Sequence, residues 1–200
     1  MYNSKSVGGK PLDLMKRIFD LLAALGLILT FAPLFLVVVL AVRLTSVGPV
    51  LVRTQRVGKG NKLFTMYKFR TMRTDTPQVA THLLKEPDQF LTPIGKFLRR
   101  TSLDELPQLI NVLRGEMSLV GPRPALFNQD DLIALRSAKG VDVLTPGITG
   151  WAQVNGRDEL PIPEKVKLDE WYLKNRSAWL DLKIVGMTVF KVIRKEGVVH

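Results

Sequence analysis

LLAALGLILTFAPLFLVVVLAV, residues 21–42, runs for 22 positions without a charge. Wound as a helix it would be about 33 Å long, against about 30 Å for the hydrocarbon core of a bilayer. A cleaved signal has a shorter apolar core followed by small residues. Here the run ends in Arg43-Leu44-Thr45-Ser46 instead. The stretch therefore reads as a retained membrane segment, in preference to a signal or a buried soluble helix. Pro33 stands in its middle. Proline removes a backbone donor and clashes with the preceding turn, so a kink is the least it does.

The flanks decide how such a segment sits. Residues 1–20 carry Lys5, Lys10, Lys16 and Arg17; residues 43–62 carry Arg43, Arg53, Arg56, Lys59 and Lys62 with no acid among them. A simple crossing shows its basic excess on one side only, and both sides are basic here. Two readings stand on sequence physics alone: a helix that breaks near Pro33 and returns to the cytoplasmic face, and an ordinary kinked transmembrane helix.

Outward from this run the composition narrows the chemistry. Twenty-nine Lys+Arg against 18 Asp+Glu give a net charge of +11, so the partners should be anionic. The 46% hydrophobic content suits a folded chain and excludes global disorder. Cysteine is absent, and the two histidines, His82 and His200, lie far apart in sequence. Disulfides, thiolate catalysis, a Cys- or His-rich metal site and a Ser-His-Asp triad all become poor expectations.

Residues 45–200 read as one globular domain on the membrane surface, with residues 1–44 as its N-terminal segment and membrane hairpin. Residues 50–54 and 62–69 look like strands around Gly58-Lys59-Gly60-Asn61, a hairpin signal. Residues 76–89 are polar and read as a loop or short helix, and Thr92-Pro93 precedes a helical run over 94–100. Ser102 and Glu105 have the spacing of a capping box, with Leu106, Leu109, Ile110 and Leu113 at helical intervals up to Gly115. Gly121–Pro124 and Pro146–Gly150 read as turns. Residues 179–195 carry a wide apolar stripe with Trp179 and interspersed Lys183, Lys191, Arg194 and Lys195, an interfacial helix or one packed on the core. The expected class is α/β, mostly helical with a short β-hairpin or sheet.

Four places could carry chemistry. Asp104-Glu105 pairs two carboxylates at an expected helix start, suited to a nucleophile or a Mg²⁺ ligand, with Arg99, Arg100 and Arg114 near in sequence. Gly121-Pro122-Arg123-Pro124 fixes the backbone around one arginine. Residues 146–157, PGITGWAQVNGR, combine glycines that allow close approach with Trp151, Gln153 and Arg157. Lys68-Phe69-Arg70 places bases around an aromatic, for phosphate contacts or lipid headgroups. Each alone has a structural reading as a cap, loop or face. Nucleic-acid recognition fits poorly, since no such module has this pattern.

Together these stretches resemble the small bacterial monotopic phosphoglycosyl transferases, the initiating sugar transferases. The likeness rests on Lys16-Arg17-Ile18-Phe19-Asp20, on Pro33, on Lys68-Phe69-Arg70-Thr71-Met72, on residues 97–108 (FLRRTSLDELPQ), on residues 117–124 (MSLVGPRP) and on residues 146–157. It covers about residues 12 to 198. The resemblance implies transfer of a phosphosugar from a UDP-sugar to a polyprenol phosphate, with UMP released, at the cytoplasmic face of a bacterial inner membrane. It implies Asp104 as the nucleophile of a ping-pong reaction through a covalent phosphosugar intermediate, and Glu105 as its partner in holding Mg²⁺. It also favours the re-entrant reading at Pro33.

Arg99, Arg123 and Arg157 are then expected at donor phosphate or nucleotide, with Lys68 and Arg70 as further phosphate contacts. Asn61 stands where the family commonly has glycine, which asparagine tolerates at positive φ. Asp158-Glu159 departs from the Asn of some members, and leaves the sugar open. The oligomeric state stays open too, a homodimer included. The rival readings are a basic membrane adaptor without activity and a metal-dependent phosphatase or hydrolase using the same carboxylates.

Overall fold

A computed structural model describes residues 10–77, 87–156 and 160–194. Arg157, both histidines and most of the polar stretch 76–89 lie outside the described residues.

The apolar run forms two helices, α1 (Lys10–Thr30) and α2 (Ala32–Thr45), bent by 64° at Phe31. Pro33 is the second residue of α2, where a helix has no use for the missing N–H. The break therefore falls two residues before the proline. Among the described residues no single helix is long and apolar enough to cross a membrane; the bent pair together has the length and composition. Its outer face is strongly apolar and exposed, including Leu14, Met15, Leu22, Leu36 and Leu44.

The hairpin forms as its turn signal predicts. β1 (Leu51–Val57) and β2 (Leu63–Phe69) pair antiparallel, Gln55 opposite Thr65, around a 3₁₀ turn at Lys59–Asn61. Asn61 does take positive φ, 58°. β4 (Ala125–Leu126) joins the other side of β1, which leaves β2 at an edge. That edge is covered by α4 (Gln108–Arg114). Asn111 on α4 is fully buried, donates to the Thr65 carbonyl at 2.7 Å and accepts from the Tyr67 amide at 3.2 Å. One side-chain amide thus completes two backbone groups that the strand pairing leaves open.

β3 (Ser118–Val120) and β5 (Gly147–Thr149) form a second, parallel pair, so residues 146–150 contain a strand where composition suggested only a turn. The glycines explain it: a Cβ on Gly147 would lie 2.1 Å from the Gly121 nitrogen. The backbones approach too closely for any side chain. α3 (Gly95–Arg100), α5 (Asp130–Ala138), α6 (Trp151–Asn155), α7 (Ile162–Asn175) and α8 (Ala178–Arg194) complete the α/β fold.

α8 packs on the core along one face and is exposed along the other. Leu180 and Ile184 are buried with Val120, Val154 and Tyr172, while Trp179, Leu182, Val189 and Phe190 are exposed. Trp151 stacks on Trp171 with ring centroids 4.6 Å apart, which makes it a packing residue.

The expected capping box does not form. Ser102 adopts left-handed backbone, φ 55°, and makes no cap bond; Leu103–Glu105 is a separate 3₁₀ turn, and α4 begins only at Gln108. Leu103 and Leu106 pack with Phe69 and Leu98, which draws the chain into this extra turn. Asp104 and Glu105 therefore sit ahead of the helix, and their electrostatic partners come from elsewhere in the fold.

Candidate functional site

Three separate segments bring cations to the two carboxylates. Lys68, near the end of β2, donates to Glu105 Oε1 at 2.6 Å and stands 3.8 Å from Asp104 Oδ2. Arg123, between Pro122 and Pro124, places Nη2 3.4 Å from Glu105 Oε1. Arg99, at the end of α3, donates Nε to the Thr71 hydroxyl at 3.1 Å, and its charge favours the ionised form of Asp104. Asp104 is only 7% exposed.

This environment splits two neighbouring acids. Burial pushes Asp104 above the usual carboxylate range, opposed by Lys68 and raised further by Glu105. Glu105 is also desolvated, but Lys68 and Arg123 outweigh that and hold it down at about 2. Burial also lowers Arg99 below its ordinary value. At neutral pH Glu105 is a fixed negative charge, whereas Asp104, once ionised, is a desolvated carboxylate with fewer bonds. Such a group is a stronger nucleophile than one wrapped in hydrogen bonds.

Of the expected site residues, Asp104, Glu105, Lys68, Arg99 and Arg123 come together. Arg70 does not bond to this cluster: it is 2% exposed and donates to the carbonyl and hydroxyl of Ser46, just beyond α2. Arg114 turns to the Tyr67 hydroxyl at 2.7 Å. Pro33 belongs to the helix break.

The donor set is short for a metal. Among the described residues no group of three or more acidic or histidine side chains gathers. Two adjacent carboxylates nevertheless fit Mg²⁺, which typically takes one or two from protein and the rest from substrate phosphate and water. Lys68 stands on these oxygens as the cationic partner.

Several supporting residues have roles that the sequence pattern did not show, although Lys16–Asp20 stood out in the family likeness. Arg17 donates to the carbonyls of Val112 and Leu113, closing the C-terminal end of α4. Asp20, 3% exposed, accepts from the Leu119 amide, and Lys16 pairs with Asp181. The Lys16–Asp20 stretch is thus the clamp between α1 and the domain, lining a cavity with Tyr172 and Arg176 that excludes the acid pair from its walls. Asn111 and the Arg136–Asp169 pair are the other two. A buried polar residue on an otherwise apolar helix face was the available signal for Asn111.

Comparison with known proteins now settles the kinship. The family model described as bacterial sugar transferase matches residues 12–195. This chain belongs to the bacterial sugar transferase family. An uncharacterized sugar transferase, EpsL, of Bacillus subtilis is 46% identical to this family member over 186 residues, 92% of this chain and 90% of EpsL. The undecaprenyl-phosphate glucose phosphotransferase of Komagataeibacter xylinus is 44% identical over 90% of this chain. The UDP-glucose:undecaprenyl-phosphate glucose-1-phosphate transferase of Escherichia coli is 43% identical over 89% of it. This chain spans only 36% and 40% of the length of those two larger relatives.

Proposed function

We propose that this chain transfers a phosphosugar from a UDP-sugar to undecaprenyl phosphate or a similar polyprenol phosphate, releasing UMP. It would thereby make the first membrane-bound intermediate of a surface glycan or glycoprotein glycan. The observation that carries this reading is the unequal acid pair: a buried, weakly paired Asp104 beside a Glu105 held ionised by Lys68 and Arg123. The names of the relatives, which differ in sugar from glucose to galactose and N-acetylgalactosamine, support the reaction class and leave the sugar open.

In the first step a carboxylate oxygen of Asp104 attacks the sugar-bearing phosphorus. The bond from that phosphorus to the bridging oxygen breaks, and UMP leaves. In the second step a phosphate oxygen of the polyprenol phosphate attacks the same phosphorus. The aspartyl bond breaks, and Asp104 returns as a carboxylate with a polyprenyl diphosphate sugar as product. Carboxylate and diphosphate repel, so Lys68, Arg99 and Arg123 would hold the donor and offset its charge. Mg²⁺ bound by Asp104 and Glu105 would supply Lewis-acid polarisation of the phosphoryl oxygens.

The exposed apolar face of α1 and α2 supports a seat in the lipid, with both flanks on the cytoplasmic side of a bacterial inner membrane. An acceptor whose tail stays in the bilayer calls for such a seat in the lipid.

The test is UMP release by nanodisc-held protein from a panel of UDP-sugars, with and without Mg²⁺ and undecaprenyl phosphate. Sustained turnover that needs both, and is lost in Asp104→Asn, is expected; without the lipid the first step releases at most one UMP per enzyme. Continued UMP formation without the lipid would indicate a hydrolase. Silence across a broad panel from folded, membrane-bound protein would return weight to a membrane adaptor.

A further inference from the structure

Arg136 on α5 and Asp169 on α7 are 33 residues apart in sequence, and both are buried, at 8% and 1% exposed. Arg136 Nε and Nη2 donate to the same Asp169 oxygen, at 3.0 and 2.7 Å. Its third arm, Nη1, donates to the main-chain carbonyl of Arg123 at 2.8 Å. A buried guanidinium requires a counter-charge, and Asp169 supplies it. The arm left over grips the backbone of the residue whose side chain meets Glu105.

The grip has a second half. The Pro122 carbonyl accepts from the Gly147 amide at 2.9 Å. Two successive carbonyls of the Pro122–Pro124 loop are therefore held from opposite elements, one by β5 and one by Arg136. Prolines on either side limit φ and offer no amide, so carbonyls are the natural handles on this loop. With both held, the starting point of the Arg123 side chain is fixed.

We infer that Arg136 is a positioning residue for the reaction: braced by Asp169, it sets the backbone at Arg123 so that its guanidinium meets Glu105 and the donor phosphate. This rests on the transferase reading above. It also sets a geometric demand. Lysine keeps the charge beside Asp169 but is a point donor without the planar fork, so it cannot hold Asp169 and the Arg123 carbonyl in the same way.

Two measurements test it. In Arg136→Lys, amide hydrogen exchange over residues 121–126 should speed up while the protein stays folded by thermal unfolding. In UMP-release kinetics, kcat/KM for the UDP-sugar should fall about 10-fold with kcat/KM for polyprenol phosphate unchanged, as a small misplacement of a donor-binding group does. In an Arg123→Gln background the same substitution should cost almost nothing more, because the two act through one group. Unchanged loop exchange, additive losses in the cycle, or full activity of Arg136→Lys would each overturn the inference. A wild-type enzyme silent with all UDP-sugars would overturn the transferase reading instead, and the exchange measurement would still decide whether Arg136 holds the loop.

Discussion

Lys68 Nζ stands 2.6 Å from Glu105 Oε1, while Asp104 Oδ2 is 3.8 Å from the same nitrogen. One lysine thus serves two adjacent acids unequally, and the inequality has a pH signature. Glu105, held at about 2, stays ionised through any practical assay range and contributes no limb to the profile. Asp104 is raised by burial and must be ionised to attack, so kcat/KM should fall as pH drops through a value above the ordinary carboxylate range. Lys68 lowers Asp104, so Lys68→Met should move that acid limb to higher pH. A limb that stays put in Lys68→Met would separate it from Asp104. For stability the sign is opposite between the two acids. The depressed Glu105 contributes stability that is present above its ordinary 4.5 and lost as pH falls through about 2.

Asp104→Asn should uncouple function from stability. A carboxyl raised in the fold contributes stability at low pH that is lost as pH rises through its folded value, and above that value the desolvated carboxylate costs the fold. Asparagine is nearly isosteric and uncharged. Its melting temperature at pH 7 should equal or exceed that of the wild type, while turnover drops at least about 10³-fold, as for loss of a nucleophile. A clear drop in melting temperature would show that the carboxylate is held by more than Lys68.

The clamp on α4 is open to measurement from both sides. Arg17 gives charged hydrogen bonds to the Val112 and Leu113 carbonyls, and Gly115 at φ 82° leaves room for its guanidinium. A Cβ on Gly115 would come 3.3 Å from Arg17 Nη2. Arg17→Gln should destabilise by about 2 kcal/mol, allowing for partial exposure, and Gly115→Ala by about 1–2 kcal/mol for the left-handed backbone. Chemical unfolding in detergent reads both. Because the two sites touch, the double variant should lose less than the two losses added together.

These relations also mark what the sequence could disclose. The helix break, the hairpin and the strained Asn61 were legible because each is written locally, in Pro33, in the Gly58–Asn61 turn and in one residue's tolerance of positive φ. The acid pair was legible through resemblance. Its setting was not. Ser102 and Glu105 carry a local capping signal, yet Leu103 and Leu106 pack against Phe69 and Leu98, and that burial outweighs the cap. Asn111 with Thr65, Arg17 with Leu113 and Arg136 with Asp169 are long-range pairs that no periodicity announces. Arg70 shows the same limit in reverse. It stands two residues from Lys68, yet it turns to Ser46 and not to the acids.

The topology of the anchor can be read in a chain that has no cysteine of its own. α1 and α2 meet at 64°, and both flanks of the pair are basic. If the pair enters and returns, Ser4→Cys and Leu63→Cys should both resist a membrane-impermeant maleimide in intact spheroplasts and react in inverted vesicles. Labelling of Ser4→Cys from outside would mean a simple crossing. The role of Pro33 follows from the energetics of helix interiors, where proline costs about 3 kcal/mol relative to alanine. Pro33→Ala removes that cost, and a straightened run over residues 21–42 would be about 33 Å long, enough to span. The basic residues on both sides oppose the crossing, since one set would then face the wrong compartment. The expected result is therefore a mixture, with part of the Pro33→Ala, Ser4→Cys population labelled from outside and UMP release reduced in proportion. Unchanged protection in Pro33→Ala would assign the bend to packing of α2 through Val38 and Val42 against Phe69 and Leu98, and not to the proline.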